Sequence, residues 1–263
     1  MQRVAAALVL APLGIALAYG GGWWWATLVT LAAIGLFVEW LSVVGAVQER
    51  RVMVAGIVAL VMSGLSLALT KIEVSLVLLA LGLVAVALLS PASRRWTTSG
   101  FLYAAAAQLA SILVRLDPSQ GLAALVLVLL VVWGSDIGGY FAGRGIGGPK
   151  LWVRVSPKKT WAGAVGGFVA SLLVGLGFSL LGLGKAVPLL GLAAVLSIAA
   201  QCGDLFESAV KRHFGVKDSS HIIPGHGGIL DRLDGFVAAI VLAAIVGFLR
   251  SGADGVGRGL MVW

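Results

Sequence analysis

Three carboxylates, Asp204, Asp231 and Asp234, stand late in the sequence among lysines, arginines and histidines. Asp204, Ser208 and Lys211 are spaced i, i+4, i+7, and Asp231 and Asp234 are spaced i, i+3, so on two helices each set occupies one face. Acidic oxygens from two helices are hard ligands, and magnesium suits a site of a few carboxylates completed by water and substrate phosphates. Plainer readings stand beside this one. Glu207 and Lys211 form an i, i+4 pair worth about 0.3 kcal/mol at a helix end. Acids in a first helical turn also complement the macrodipole.

The loop between these helices carries Lys211, Arg212, Lys217, His226 and Arg232 around the run "GHGG". Glycines let backbone N–H groups approach an anion, and a helix amino terminus adds favourable partial charge. Ligands for a metal beside cations for phosphate suit phosphoryl or nucleotidyl transfer, where positioning and charge neutralisation provide most of the catalysis. His213, His221 and His226 lack zinc-ligand spacing, and His226 is read as a hydrogen-bonding contact to phosphate.

A second polar segment, residues 134–163, holds Arg144, Lys150, Lys158 and Lys159 in a glycine-rich setting able to wrap phosphates. Gly143, Gly145 and Gly148 match GxGxxG formally, but they follow an apolar helix rather than a strand, so no dinucleotide fold is implied. Asp136 is either a local packing residue or part of the polar site. Gly138 and Gly139 beside it permit close helix approach in both cases.

The elements that must position these groups are membrane helices. Of the 263 residues 60% are apolar and only 11% charged, and the mean hydropathy is +1.04, which excludes a water-soluble surface. About nine apolar runs approach the span of a bilayer, at 4–20, 23–45, 53–70, 74–90, 100–115, 121–142, 161–183, 187–210 and 229–249. The fold class expected is an all-α polytopic membrane protein, with the first run retained as a helix rather than cleaved as a signal peptide. Residues 1–120 form N-terminal helices with little chemistry, and residues 121–263 a catalytic region with loops 143–160 and 211–230.

With nine spans, 14 of the 19 Lys and Arg fall on the side of the amino terminus. That side is therefore cytoplasmic. The net charge of +8 is concentrated there, able to meet anionic headgroups or a polyphosphate. Nucleic acid is not an expected partner, because no soluble basic domain exists. Glu39, alone inside an early span, is either functional or snorkelling to the interface. Trp23, Trp24 and Trp25 read as an interfacial belt, and Cys202 as a buried, inert thiol.

The run Ser208–Asp234, "SAVKRHFGVKDSSHIIPGHGGILDRLD", resembles the signature of the phosphatidate cytidylyltransferases, the CDP-diacylglycerol synthases. The preceding "GDLFES" and the earlier "SDIGGYFAGRGIG" and "SPKKTWAG" are similar to that family too, with one departure at Ile137. The resemblance implies a multi-pass enzyme of the cytoplasmic membrane, commonly dimeric. Such an enzyme joins CTP to phosphatidate, gives CDP-diacylglycerol and pyrophosphate, and requires magnesium, with potassium assisting. On this sequence Asp204, Asp231 and Asp234 would surround the metal, with Ser208 and Lys211 alongside. A relative acting on an ether or polyprenyl lipid phosphate would look the same. A transporter is the competing class, but it predicts paired charges near mid-membrane rather than polar residues crowding one end.

Overall fold

Long apolar runs bounded by short polar turns leave the backbone one way to satisfy itself in lipid, as helices. The computed structural model describes residues 12–90, 93–220 and 227–263. Residues 12–20 are helical (α1). There follow α2 (Gly22–Val43), α3 (Arg50–Ala68), α4 (Ile72–Leu89), α5 (Arg94–Leu116), α6 (Gly121–Gly145), α7 (Trp161–Leu180), α8 (Ala186–His213), α9 (Leu230–Ser251) and a short α10 (Val256–Met261). Among the described residues eight helices, α2 to α9, are long and apolar enough to cross a membrane. Residues 4–11 of the first apolar run, 4–20, lie outside the described residues. The all-α polytopic expectation holds, with one local addition. Residues Lys150–Trp152 (β1) and Ser156–Thr160 (β2) pair antiparallel, placing Lys150 opposite Thr160.

The chain divides into two units. The first comprises the described residues up to Ile112 together with Phe214–Arg232. Its core is aromatic: Phe37 meets Phe101 edge-on at 5.7 Å, and Trp40 donates to Trp96 O at 2.9 Å. Several buried polar groups are paired within the protein, as hydrocarbon favours. Gln108 Nε2 donates to Leu60 O and Thr30 Oγ1, both at 2.9 Å, and Ser63 bonds Ser75 at 2.7 Å. Trp23 and Trp24 are exposed, as a belt requires. Trp25 departs from that expectation: it is 6% exposed and its indole donates to Ser111 O at 3.0 Å. One face of a helix inevitably turns inward, and Trp25 lies on it.

The second unit comprises Leu113–His213 and Leu233–Trp263. Here α6 and α7 meet through glycine. A Cβ on Gly138 would stand 2.7 Å from Gly166 O, and one on Gly163 would stand 2.9 Å from Gly139 O, so the two backbones touch where side chains would hold them apart. Helices α8 and α9 meet the same way. A Cβ on Gly203 would lie 2.7 Å from Asp234 O.

Asp117, in the turn between α5 and α6, is buried and accepts four hydrogen bonds. Ser119 N, Ser119 Oγ and Gln120 N donate to Oδ1 at 2.8, 2.7 and 3.0 Å, and Arg258 N donates to Oδ2 at 2.9 Å. Burial pushes the carboxyl up, but these bonds outweigh it and hold the group below its ordinary value of 3.8. A depressed folded value means stability that is present above 3.8 and lost as pH falls through the lower folded value. Asp117→Asn is expected to melt below wild type at neutral pH, with the gap closing under acid. A gap independent of pH in thermal scans of the detergent-solubilised proteins would contradict this.

Candidate functional site

Within the second unit, α6, β1, β2, α7 and α8 enclose a cavity of about 420 Å³ lined by Asp136, Arg144, Lys158, Lys159 and Asp204. Ser135, Tyr140, Thr160 and Gln201 complete its polar wall. The size is that of a small-molecule site. Each polar group has a structural reason for its place. The hairpin carries Lys158 and Lys159 up to Thr160, whose Oγ1 accepts from Gly163 N at 3.1 Å and caps α7. The lysines thus end beside a helix amino terminus, where an anion is favoured. Arg144, in the last turn of α6, is braced by Nη1 donating to Tyr140 Oη at 3.0 Å.

Lys159 reaches across to α8 and forms an ion pair with Asp204 Oδ2. The side chains are 29% and 32% exposed, so the pair stands at the cavity wall rather than in a sealed core. Ser208 Oγ lies 3.5 Å from Asp204 Oδ1, which bears out the i, i+4 placement of these two residues. Lys211 is directed elsewhere: its Nζ pairs with Glu207 Oε2 at 2.7 Å, and both residues are buried. That is the ion-pair reading of the spacing, now inside a low-dielectric helix bundle rather than on a surface. Arg212 is exposed in the last turn of α8.

Asp234 belongs to the same unit. Gly235 N donates to its Oδ1 at 2.7 Å, and its charged neighbours are Asp204, Glu207 and Asp136. Carboxylates gathered in this way repel one another, and a bound divalent cation relieves that repulsion, so the donor chemistry fits magnesium. Among the described residues no three His, Cys, Asp or Glu side chains stand grouped closely enough to hold a metal ion as they are.

Asp231 lies in the first unit, where its surroundings differ. Its Oδ2 accepts from Gly228 N at 2.9 Å, Ser219 N at 3.1 Å and Ser219 Oγ at 3.0 Å. The glycines expected to receive a foreign anion therefore receive one of the protein's own. Gly227 has φ +82°, and a Cβ there would stand 2.7 Å from Asp231 Oδ2, so the loop needs glycine to admit that carboxylate. Lys217, in the described part of this loop, and Arg232, in the first turn of α9, are exposed. His226 lies outside the described residues.

Two readings of single residues change. Cys202 is exposed on α8 rather than buried: it sits beside Gly203, which turns inward to α9, and so the thiol points outward. Glu39 does not snorkel. It is 1% exposed and fully hydrogen-bonded. Sequence reasoning missed Thr160, Tyr140, Gln201 and Ser219. Only Thr160 carried a signal, a threonine directly before an apolar helical run.

A predominantly helical membrane protein with a cavity lined by cations and carboxylates is the class these features define. The model of the Cytidylyltransferase family matches residues 1–249, and the chain belongs to that family. It is 37% identical over 257 residues to the phosphatidate cytidylyltransferase of Brucella suis biovar 1 (strain 1330), covering 96% of this chain and 94% of that protein. Over 134 residues it is 45% identical to the phosphatidate cytidylyltransferase of Staphylococcus aureus (strain COL), covering 49% of this chain and 50% of that protein.

Proposed function

We propose that this chain is a phosphatidate cytidylyltransferase, transferring CMP from CTP to phosphatidate to form CDP-diacylglycerol and pyrophosphate. The observation that carries the reading is the cavity of the second unit, where Arg144, Lys158 and Lys159 converge beside Asp204, in a chain related along most of its length to proteins of that name. An oxygen of the lipid phosphate attacks the α-phosphorus of CTP. The bond to the bridging oxygen breaks, and pyrophosphate leaves with its electron pair. The nucleophile is already ionised near neutral pH, so no general base is required.

Arg144, Lys158 and Lys159 neutralise the triphosphate, with Arg212, Lys217, Arg232 and His226 as further phosphate contacts. Ser208 would stand beside the reacting groups next to Asp204, and Lys211 would act through its pair with Glu207. Asp204, Asp231 and Asp234 would hold magnesium, with potassium as an assisting ion. Bound there, magnesium would offset the charge on the phosphate oxygens. In this reading the enzyme works as a homodimer in the cytoplasmic membrane with the cavity facing the cytoplasm, which agrees with the excess of Lys and Arg on that side.

Purified protein incubated with CTP, magnesium and a panel of lipid phosphates tests the reading. CDP-lipid and pyrophosphate are expected in equal amounts with phosphatidate. Product formed only from an ether-linked or polyprenyl phosphate would reassign the substrate, and no product from any of them would refute nucleotidyl transfer.

A further inference from the structure

Glu39 is a buried carboxylate in α2, a helix to which no chemistry has been assigned. Each of its oxygens accepts two hydrogen bonds. Oε1 takes Ser220 Oγ at 2.7 Å and Ile229 N at 2.9 Å, and Oε2 takes Ser219 Oγ at 2.9 Å and Leu230 N at 2.8 Å. Among the described residues it forms no ion pair with Lys, Arg or His. Two of its donors are backbone N–H groups at the start of α9, which have no partner inside that helix. The other two are hydroxyls ten residues earlier in the chain. One side chain therefore fastens both sides of the loop that leads into α9.

Three further features are built around this contact. A Cβ on Gly228 would overlap both Glu39 Oε2 and Ser219 Oγ. A Cβ on Gly35, one turn before Glu39 on the same face of α2, would stand 2.6 Å from Ile229 Cδ1. Ser219 Oγ also lies 3.0 Å from Asp231 Oδ2. A hydroxyl has one proton, so Ser219 serves the two carboxylates in turn. The fixed donors are backbone groups, those of 229 and 230 to Glu39 and those of 219 and 228 to Asp231.

We infer that Glu39 is a positioning residue for the reaction: it sets the loop ends at 219–220 and 228–230, and through them holds Asp231 in its working orientation. The inference rests on the role of Asp231 proposed above. An acceptor-only group is essential at this position. In Glu39→Gln, whichever way the amide turns, its NH2 faces a backbone N–H that cannot reverse, so at least one donor is left opposed.

The test uses the full-length protein in detergent and reads kcat and KM separately, with hydrogen exchange at the amides of residues 219 and 228–230. Glu39→Gln is expected to lower kcat by roughly tenfold or more with KM for CTP within about twofold of wild type, as for a reacting group held out of its working geometry. Exchange at those amides should rise while the other helices keep their protection. The double variant Ser219→Ala, Ser220→Ala removes only hydroxyl donors and should lower kcat about threefold with KM for CTP unchanged. It decides the matter if Glu39→Gln does not fold. Wild-type kcat in Glu39→Gln, or in the double serine variant where that one is unfolded, would overturn the inference. A change confined to KM would do the same, as would a loss of protection across all helices in the double serine variant. Should Asp231→Asn prove active, the role given to Asp231 fails instead, and that result is read independently of Glu39.

Discussion

Asp231→Asn is expected to abolish turnover in a protein that still folds and inserts. The hydrogen bonds to this residue make the substitution unusually clean. Gly228 N, Ser219 Oγ and Ser219 N address one carboxylate oxygen, Oδ2, at 2.9, 3.0 and 3.1 Å, whereas Ser219 N reaches Oδ1 only at 3.4 Å. An asparagine can turn its carbonyl oxygen to those donors and keep the loop. Its NH2 then occupies the position of Oδ1, where a donor replaces an acceptor and the negative charge is gone. A cation held there, as proposed, would lose a ligand, while the loop would lose little. A fall of at least about 10³-fold in kcat follows for a group that stabilises transferring phosphates. Thermal stability should stay close to that of wild type. Activity within about twofold of wild type would remove Asp231 from the reaction, since a lost metal ligand costs far more.

The second large effect is expected at Asp204. Its Oδ2 holds Lys159 and its Oδ1 faces Ser208, so it joins α8 to the hairpin that precedes α7. Asp204→Asn should lower kcat/KM for CTP by on the order of 10³-fold, because it removes the charge that pairs with Lys159 and that, in the proposed reading, would also hold a cation. Lys159→Gln separates the two contributions. It keeps the Asp204 side chain in place and removes a cation from the cavity, and should raise KM for CTP while kcat falls less than in Asp204→Asn. Equal losses of kcat in the two variants would mean that the pair acts as one unit and that Asp204 has no separate role. The pair is one-third exposed, so its screened attraction contributes little to stability, and both variants should remain folded.

Much of this was legible in the sequence, for identifiable reasons. Apolar runs of bilayer length admit helices and little else, so α2 to α9 followed from composition alone. Helical periodicity placed Ser208 beside Asp204 and paired Glu207 with Lys211. The loop motif was recognisable, yet its glycines were read as seats for a phosphate, whereas Gly227 and Gly228 admit Asp231 and Glu39. A glycine advertises room for close approach and does not say what approaches. The hairpin was hidden because eight residues with a proline and three lysines carry too little alternation to register as strands. Glu39 was visible as an anomaly, one acid in an apolar helix. Its partners lie about 180 residues away in sequence, and no local pattern reports a contact of that range. Trp25 and Cys202 misled for a related reason: a helix position alone does not reveal which face packs against a neighbour.

The most direct test of the central claim follows the phosphorus atoms of CTP. With purified protein, magnesium and phosphatidate, CTP labelled at the α-phosphorus should deliver its label to the lipid product, and CTP labelled at the γ-phosphorus should deliver its label to pyrophosphate. Label from the γ-phosphorus in the lipid would mean phosphoryl rather than nucleotidyl transfer, and would contradict the assignment of this chain as a phosphatidate cytidylyltransferase.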